Sequence, residues 1–301
     1  GAVACVWEIG HYLEAQLKEQ ALLDLYKKFE NPLIPVLLHM EEAGIRIEKS
    51  YFEALAKTFS EEQKRLEAAM AGMVGEAFNP ASPLQLSRIL FEVLHLPTTG
   101  IKRGKNGFST AADALEKLRG QHPLIEAIEA YREVAKLLST YILPLPLAAD
   151  HEERVHTTFH QALAATGRLS STDPNLQNIP IRSELGRKIR KGFIAKPGYV
   201  LLSCDYSQID LRVAAALAQD EAMLKVFSEG GDVHRSTAAA MWQTPLDQVT
   251  TDQRRAAKAV NFGVLYGQGA FGLSEGAGVS FGEAKDFIAR YFAAYPRLKR
   301  Y

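Results

Sequence analysis

Arg254, Lys258, Phe262 and Tyr266 recur at every fourth position of the run RRAAKAVNFGVLYGQG, so on an α-helix they form one slowly drifting stripe. Two cations followed by two aromatic rings match a nucleoside triphosphate laid lengthwise. The stripe covers roughly 18 Å of helix axis at about 1.5 Å per residue, comparable to an extended nucleotide. The guanidinium and ammonium groups would hold phosphate oxygens, and the rings would face sugar and base. The same spacing also describes an ordinary amphipathic helix with solvated cations and core rings, so the stripe alone leaves both readings open.

Three other segments carry candidate chemistry. YVLLSCD, residues 199–205, reads as a compact apolar strand ending in Asp205, and DYSQIDLR continues it into a helix with Ser207 available as the cap. A carboxylate at such a junction suits a metal ligand, although taken alone it is more often a plain turn or cap residue. ATGRLSSTDPNLQNIPIR sets Arg168, Asn175, Gln177, Asn178 and Arg182 in a loop too rich in Gly, Pro and amides for regular structure. Arg187, Lys188, Arg190 and Lys191 follow closely, and GGDVHRSTAAAMW puts His234 near a helix start.

The elements that position these residues are mostly helical. Tyr12 to Phe29 is a charged helical pattern, and LIPVLLHM predicts a buried helix with Pro35 in its first turn. GIRIEKS reads as a turn, a short strand and a helix start. From Tyr51 to Met73 an amphipathic helix sets Leu55, Phe59, Leu66 and Met70 against a wet side of Glu61, Glu62, Lys64, Arg65 and Glu67. After a break at FNPASP, Ser82 caps a helix through Leu94, with Pro83 at its first position. IKRGKNG is a basic, Gly-rich loop carrying Lys102, Arg103 and Lys105. Helices are expected from Thr110 to Arg119 and from Pro123 to about Ile142, ending at the prolines of ILPLPL. Alternation over Val155, Thr157, Phe159, Gln161 and Leu163 predicts a strand, and helical patterns resume from Ile209. The result is an α+β arrangement, not a regular βαβ series.

Lys plus Arg equals Asp plus Glu, 35 against 35, so no global field steers the chain to nucleic acid and any anion site must be local. Hydrophobic residues at 47% and charged residues at 23% are those of a soluble globular protein. Cys5 and Cys204 lie far apart without a Cys or His partner in sequence, which argues against a zinc site or a disulfide framework. No apolar run reaches the roughly 18 residues of a membrane span, and no signal peptide opens the chain; a cytoplasmic protein is expected. The chain reads as an internal piece of a longer protein.

Taken in order, TGRLSS, DPNLQNIPIR, DYSQIDLR, DVH and RRAAKAVNFGVLYG resemble the polymerase region of the family A DNA polymerases, the bacterial DNA polymerase I-like enzymes. A looser likeness runs through FNPASPLQL and LLSTYILPLP, so that about residues 30 to 301 are covered. The resemblance implies an α+β right-hand polymerase fold, with helical thumb and fingers around a partial antiparallel palm sheet, incomplete at the C-terminus. Residues 1–30 would end a degenerate 3′–5′ exonuclease-like domain or linker. The palm would take 31–50 and 131–227, the thumb 51–130 and the fingers 228–301. The implied activity is template-directed DNA synthesis, a nucleotidyl transfer to a primer 3′-hydroxyl with two Mg²⁺ ions, serving replication or repair. Its implied partners are primer-template DNA and deoxynucleoside triphosphates; a monomer in a bacterial or phage-infected cell is expected.

The resemblance also assigns roles. Asp205 would hold the metals with the backbone carbonyl of Tyr206, and Asp205 and Lys258 would be catalytic, Lys258 as proton donor to pyrophosphate. Arg254, Lys258 and His234 would bind the triphosphate, where cations neutralise charge developing on the transferring phosphoryl group. Ser207, Gln208 and Asp210 would flank the nucleotide, Phe262 would stack near its sugar and base, and Tyr266 would close the site where the templating base enters. Arg168, Asn175, Gln177, Asn178 and Arg182 would touch DNA, the first four along the minor groove, where N3 and O2 acceptors at every pair let donors test geometry without reading sequence. Lys102, Arg103, Lys105 and the Arg187 to Lys191 cluster would hold phosphates, or else form a solvated face.

Two positions depart from the family pattern. Asp210 stands where Glu is usual as the gate against a ribose 2′-hydroxyl, and one methylene less leaves about 1.5 Å of slack. Phe262 replaces the Tyr of some relatives, which implies poor acceptance of dideoxynucleotides. The family's second metal carboxylate, in a His-Asp-Glu motif, falls past Tyr301, so the chain alone is expected to be incomplete as a catalyst. Asp150-His151-Glu152-Glu153 is read as a decoy loop. With only Glu8 near the start, no exonuclease activity is expected. The rival reading is a non-catalytic module that binds primer-template DNA and nucleotide.

Overall fold

A computed structural model describes residues 2–105, 107–181, 183–277 and 279–301. Arg182 lies outside the described residues. The chain divides into two compact units, Gly1–Leu201 and Leu202–Tyr301. Among the described residues no helix is long and apolar enough to cross a membrane.

In the first unit α1 (Ala2–Glu19), α2 (Leu23–Leu25) and a π-helical turn (Tyr26–Glu30) lead into α3 (Asn31–Ala43). The buried helix expected over LIPVLLHM is α3, yet Leu37 is its one buried side chain, while Ile34, Val36, Leu38 and Met40 are about half exposed. That run is apolar all round, and successive helical residues point about 100° apart, so a single packed face covers only part of it. β1 (Ile45–Arg46) precedes α4 (Lys49–Val74), whose buried Phe52, Leu55, Phe59, Leu66 and Met70 contain the predicted stripe. Gly75, at φ 82°, supplies the left-handed residue that stops it.

Ser82 caps α5 (Pro83–Arg88) by accepting from the Gln85 N–H, and a π-helical turn, Ile89–Val93, follows. The basic loop closes into a small hairpin of β2 (Arg103–Gly104) and β3 (Gly107–Phe108). After α6 (Ala112–Leu118) and α7 (Leu124–Leu137), the chain stays helical past the expected stop, through a π-turn at Leu138–Ile142 and α8 (Pro144–Ala148). Pro144 opens α8, where its missing N–H costs no hydrogen bond. β4 (Arg154–Val155), β5 (Thr158–His160), β6 (Ser170–Thr172) and α9 (Glu184–Lys191) complete the unit.

Where one partial antiparallel sheet was expected, the described residues form three separate two-stranded antiparallel ladders: β1 with β4, β2 with β3 and β5 with β6. The decoy string builds a turn. Asp150 Oδ1 accepts from the backbone N–H of Glu152 at 2.9 Å and of Arg154 at 2.8 Å, and Oδ2 meets His156 Nε2 at 3.2 Å.

The second unit contains α10 (Ile209–Ala218), α11 (Glu221–Ser228), α12 (Val233–Trp242), a 3₁₀ turn (Leu246–Gln248), α13 (Thr251–Leu265), α14 (Ala270–Ala277), α15 (Phe281–Ala294) and α16 (Pro296–Arg300). Its starts are strongly specified. Asp220 and Asp232 cap α11 and α12, and Thr250 with Gln253 and Ser280 with Glu283 form reciprocal capping boxes on α13 and α15. Leu211, Met223, Met241, Val260, Leu273 and Tyr291 lie in its core.

The strand expected over 199–205 is absent. Tyr199, Val200, Leu201 and Leu202 are 72, 85, 59 and 84% exposed. A strand persists only when a neighbour takes up its N–H and C=O groups, and among the described residues none does so here.

Candidate active site

The capping box at Thr250 fixes where α13 begins, and Ala257, Val260 and Asn261 are buried along it. That choice of inward face turns the stripe outward. Arg254 and Phe262 are half-buried and Lys258 is exposed. Tyr266 stands just past the last helical residue, as the C-cap, with φ −91° and ψ 15°.

Arg254 is aimed from the neighbouring helix. Its Nε donates to Asp232 Oδ2 at 2.5 Å, and Asp232 Oδ1 accepts the backbone N–H of His234 at 3.0 Å and of Arg235 at 3.2 Å. One carboxylate therefore caps α12 and tethers a cation of α13. Burial pushes the Asp232 carboxyl up, but the Arg254 hydrogen bond and the capping N–H groups leave it below its ordinary value. Asp232→Ala is expected to cost about 1 kcal/mol of stability as a lost cap, which urea unfolding followed at the second unit measures.

His234, expected among the triphosphate-binding residues, is a buried ring. The residue is 2% exposed, its ring centroid lies 5.7 Å from that of Phe262, and its Nδ1 is 3.1 Å from Asn261 Nδ2. Burial, which outweighs Asp232, lowers its pKa from 6.5 to about 4, with Arg254 and Lys258 adding to the effect. The ring is neutral at pH 7.

On the other side of the stripe, the Tyr266 hydroxyl donates to Asp210 Oδ2 at 2.5 Å, joining positions 56 apart. Asp210 lies in the first turn of α10. Ser207 does not cap that helix. Gln208 holds the cap position in the left-handed region, φ 57°, without a side-chain bond, and the Ser207 carbonyl accepts from Arg212 Nε at 3.0 Å. Asp205 and Tyr206 are exposed. Among the described residues no three His, Cys, Asp or Glu side chains gather to hold a metal. Asp205 and the Tyr206 carbonyl are two oxygen donors, too few for a pair of Mg²⁺ ions that each want six. The residues here do not by themselves fit that pair.

The expected DNA contacts belong to the first unit. Arg168, Gln177 and Asn178 are exposed. Asn175 instead builds its own loop, its Oδ1 accepting the N–H of Gln177 at 3.1 Å and of Asn178 at 3.3 Å. Lys102, Arg103 and Lys105 are exposed on the hairpin and line a cleft of about 670 Å³ with Arg132. Arg132, unremarkable in sequence, donates to the Thr110 carbonyl at 2.6 Å and braces that cleft. On α9, Lys188, Arg190 and Lys191 occupy the last turn, where the helix dipole also favours cations.

The two units should respond oppositely to acid. His234 titrates near 6.5 when unfolded and about 4 when folded, so stability present above 6.5 is lost as pH falls between those values. In the first unit the Glu41 carbonyl and Asp150 raise the pKa of His156, so its contribution is present below 6.5 and lost as pH rises through the raised value. Asp150, lowered from 3.8 to about 2, chiefly by the backbone N–H of Arg154, contributes above 3.8. Between about pH 7.5 and 5, hydrogen exchange corrected for its intrinsic rate should speed up in α12 and α13 and slow around β1 and β4. A parallel change in both regions would contradict this.

The family described as DNA polymerase family A matches residues 49–301. The thermostable DNA polymerase I of Thermus aquaticus is 49% identical over 282 residues, 93% of this chain and 34% of that protein. DNA polymerase I of Deinococcus radiodurans is 46% identical over 297 residues, 97% of this chain and 31% of the relative. A solved structure of the POL domain of Pol1 from M. smegmatis, in complex with DNA primer-template and dNTP, superposes with a TM-score of 0.88 at 36% identity, over 99% of this chain and 52% of that one. The chain spans about a third of the length of these curated relatives.

Proposed function

The chain belongs to DNA polymerase family A, and on that premise we propose that it is the part of a template-directed DNA polymerase that grips the incoming nucleotide and holds the primer-template duplex. The observation that carries this reading is the row along α13. Arg254 is tethered by Asp232, Lys258 is exposed one turn on, Phe262 leans on His234, and Tyr266 closes the row against Asp210. The POL domain of Pol1 that this chain resembles was solved with primer-template and dNTP, which supports both ligands.

In this reading Arg254 and Lys258 bind the triphosphate and stabilise charge on the transferring phosphoryl group. Lys258 then delivers a proton to the departing pyrophosphate oxygen. Phe262 and Tyr266 order sugar and base, while Arg168, Gln177, Asn178 and the basic hairpin orient the duplex. The thumb, palm and fingers follow the boundaries given above, with the protein a monomer in the bacterial or phage-infected cytoplasm. Two Mg²⁺ ions complete the site only with donors other than those described here. This chain's own share is binding, orientation and proton delivery.

Primer extension by this chain, beside the same chain extended to its relatives' length, tests the proposal. Salt-dependent duplex binding by both, with extension only by the longer, is the expected result. Extension by neither would favour a module that only binds. In the longer chain Phe262→Tyr should raise dideoxynucleotide incorporation by roughly tenfold or more, because the added hydroxyl replaces the missing 3′-hydroxyl contact, a hydrogen bond of about 1.5 kcal/mol. Asp210→Glu should lower ribonucleotide incorporation; an unchanged ratio would refute the slack assigned to Asp210.

A further inference from the structure

A buried chain of hydrogen bonds runs behind the stripe. The Tyr295 hydroxyl, at the junction of α15 and α16, lies 3.0 Å from Thr237 Oγ1, which is 3.2 Å from Asn261 Oδ1. Asn261 Nδ2 in turn lies 3.1 Å from His234 Nδ1. All four residues are buried, so the hydrogens shared along this chain must find their acceptors within the protein.

Such a chain can run in two directions, and each fixes a different imidazole tautomer. In the first, Tyr295 O–H donates to Thr237, Thr237 O–H donates to Asn261 Oδ1, and Asn261 N–H donates to His234 Nδ1. The proton of the neutral ring then sits on Nε2. In the second, the amide is turned over: His234 Nδ1–H donates to Asn261, Asn261 N–H to Thr237, and Thr237 O–H to Tyr295. That direction leaves the Tyr295 hydroxyl hydrogen without an acceptor among the described residues. Tyr291, whose ring centroid is 5.1 Å away, makes no hydrogen bond through its buried hydroxyl. A buried donor without an acceptor is the costlier arrangement, so the end of the chain selects the first direction.

We propose that Asn261, backed by Thr237 and Tyr295, is a positioning residue that fixes His234 as the neutral Nε2–H tautomer, making it a one-hydrogen donor to an anionic ligand. The ligand half of this rests on the reading of α12 and α13 as a triphosphate site. Burial, with Arg254 and Lys258 on α13 opposing Asp232 at its own helix cap, holds the ring neutral, with its pKa about 4. The opposite tautomer would turn a lone pair toward a phosphate oxygen. The site then presents two cations and one neutral donor, and its affinity depends on which nitrogen carries a single proton.

Long-range proton–nitrogen correlation spectra of the ¹⁵N-histidine-labelled chain test this. Between about pH 5.5 and 8, His234 should show a bare Nδ1 and a protonated Nε2 throughout. Asn261→Asp, whose carboxylate only accepts, should draw a proton onto Nδ1 and give an imidazolium at neutral pH. Asn261→Leu keeps the approximate volume but removes both the donor and the acceptor facing the ring, and should let both tautomers appear; it carries the test if Asn261→Asp fails to fold. A wild-type ring protonated on Nδ1, or a ring indifferent to both substitutions, would overturn the proposal. Added dATP should shift the Nε2 resonance. An unmoved resonance while calorimetry shows dATP bound would overturn the ligand half alone; dATP that does not bind at all would overturn the triphosphate reading, with the tautomer assignment still judged by the spectra of the free chain.

Discussion

Lys258→Ala, in the chain extended to its relatives' length, is expected to slow single-turnover nucleotide addition by about 10²- to 10³-fold, the usual loss when one preorganised donor to developing charge is removed. Unfolding free energy should move by no more than about 0.5 kcal/mol. The separation follows from where Lys258 sits: exposed on α13, with no hydrogen bond or ion pair among the described residues. Removing it orphans nothing. Arg254→Ala should behave differently, since it strips a partner from half-buried Asp232 and lowers stability together with rate. Lys258→Arg should rescue little, because a planar fork does not reproduce a compact ammonium that gives up its proton. Rapid-quench kinetics measures the effect, and a loss under threefold would remove Lys258 from the chemistry.

The largest stability effect should come from Phe52→Ala, expected to cost about 3–5 kcal/mol. Phe52 is completely buried, and its ring meets Tyr51 and Phe193 edge-on at centroid separations of 6.1 and 6.0 Å. It joins α4 to the segment after α9, and Tyr51 reinforces that joint by donating to the Lys188 carbonyl at 2.9 Å. At Gly192 even a methyl group would press on the Phe52 ring, so the ring fills its space with no slack. Gly192→Ala should therefore destabilise wild type yet partly refill the cavity left by Phe52→Ala, giving a non-additive pair. Urea unfolding followed at the first unit reads both. A loss below about 1.5 kcal/mol for Phe52→Ala would mean that the site collapses freely.

What the sequence made legible was mostly local. Ser82 followed by Pro83, the period of α4 and the four-residue spacing of α13 are signals carried within one turn or one helix, and each element formed close to its expected position. Features that depend on a distant partner were hidden. Residues 199–205 have strand composition, but a strand needs a neighbour that composition cannot supply. The apolar run of α3 does not say how much of itself will be covered. Asp232 was not singled out in sequence, and only the fold reveals that it caps α12 and tethers Arg254, 22 positions on. The burial of His234, hence its lost charge, depends on Asn261 and Phe262 packing from another helix. Tyr266 and Asp210 meet across 56 positions, which no spacing rule anticipates.

On the proposed function, the Arg254 tether bears on how fast a triphosphate arrives as well as how tightly it stays. Before any ligand is present Asp232 cancels much of the Arg254 field, so long-range attraction of an incoming polyanion falls chiefly to Lys258. Only the Arg254 Nε is engaged by Asp232, which leaves the terminal amino groups to close on a phosphate after contact. Capture and retention are thus divided between neighbouring turns of one helix. The association rate should fall with ionic strength as for one charge, while the dissociation rate carries the imprint of the second.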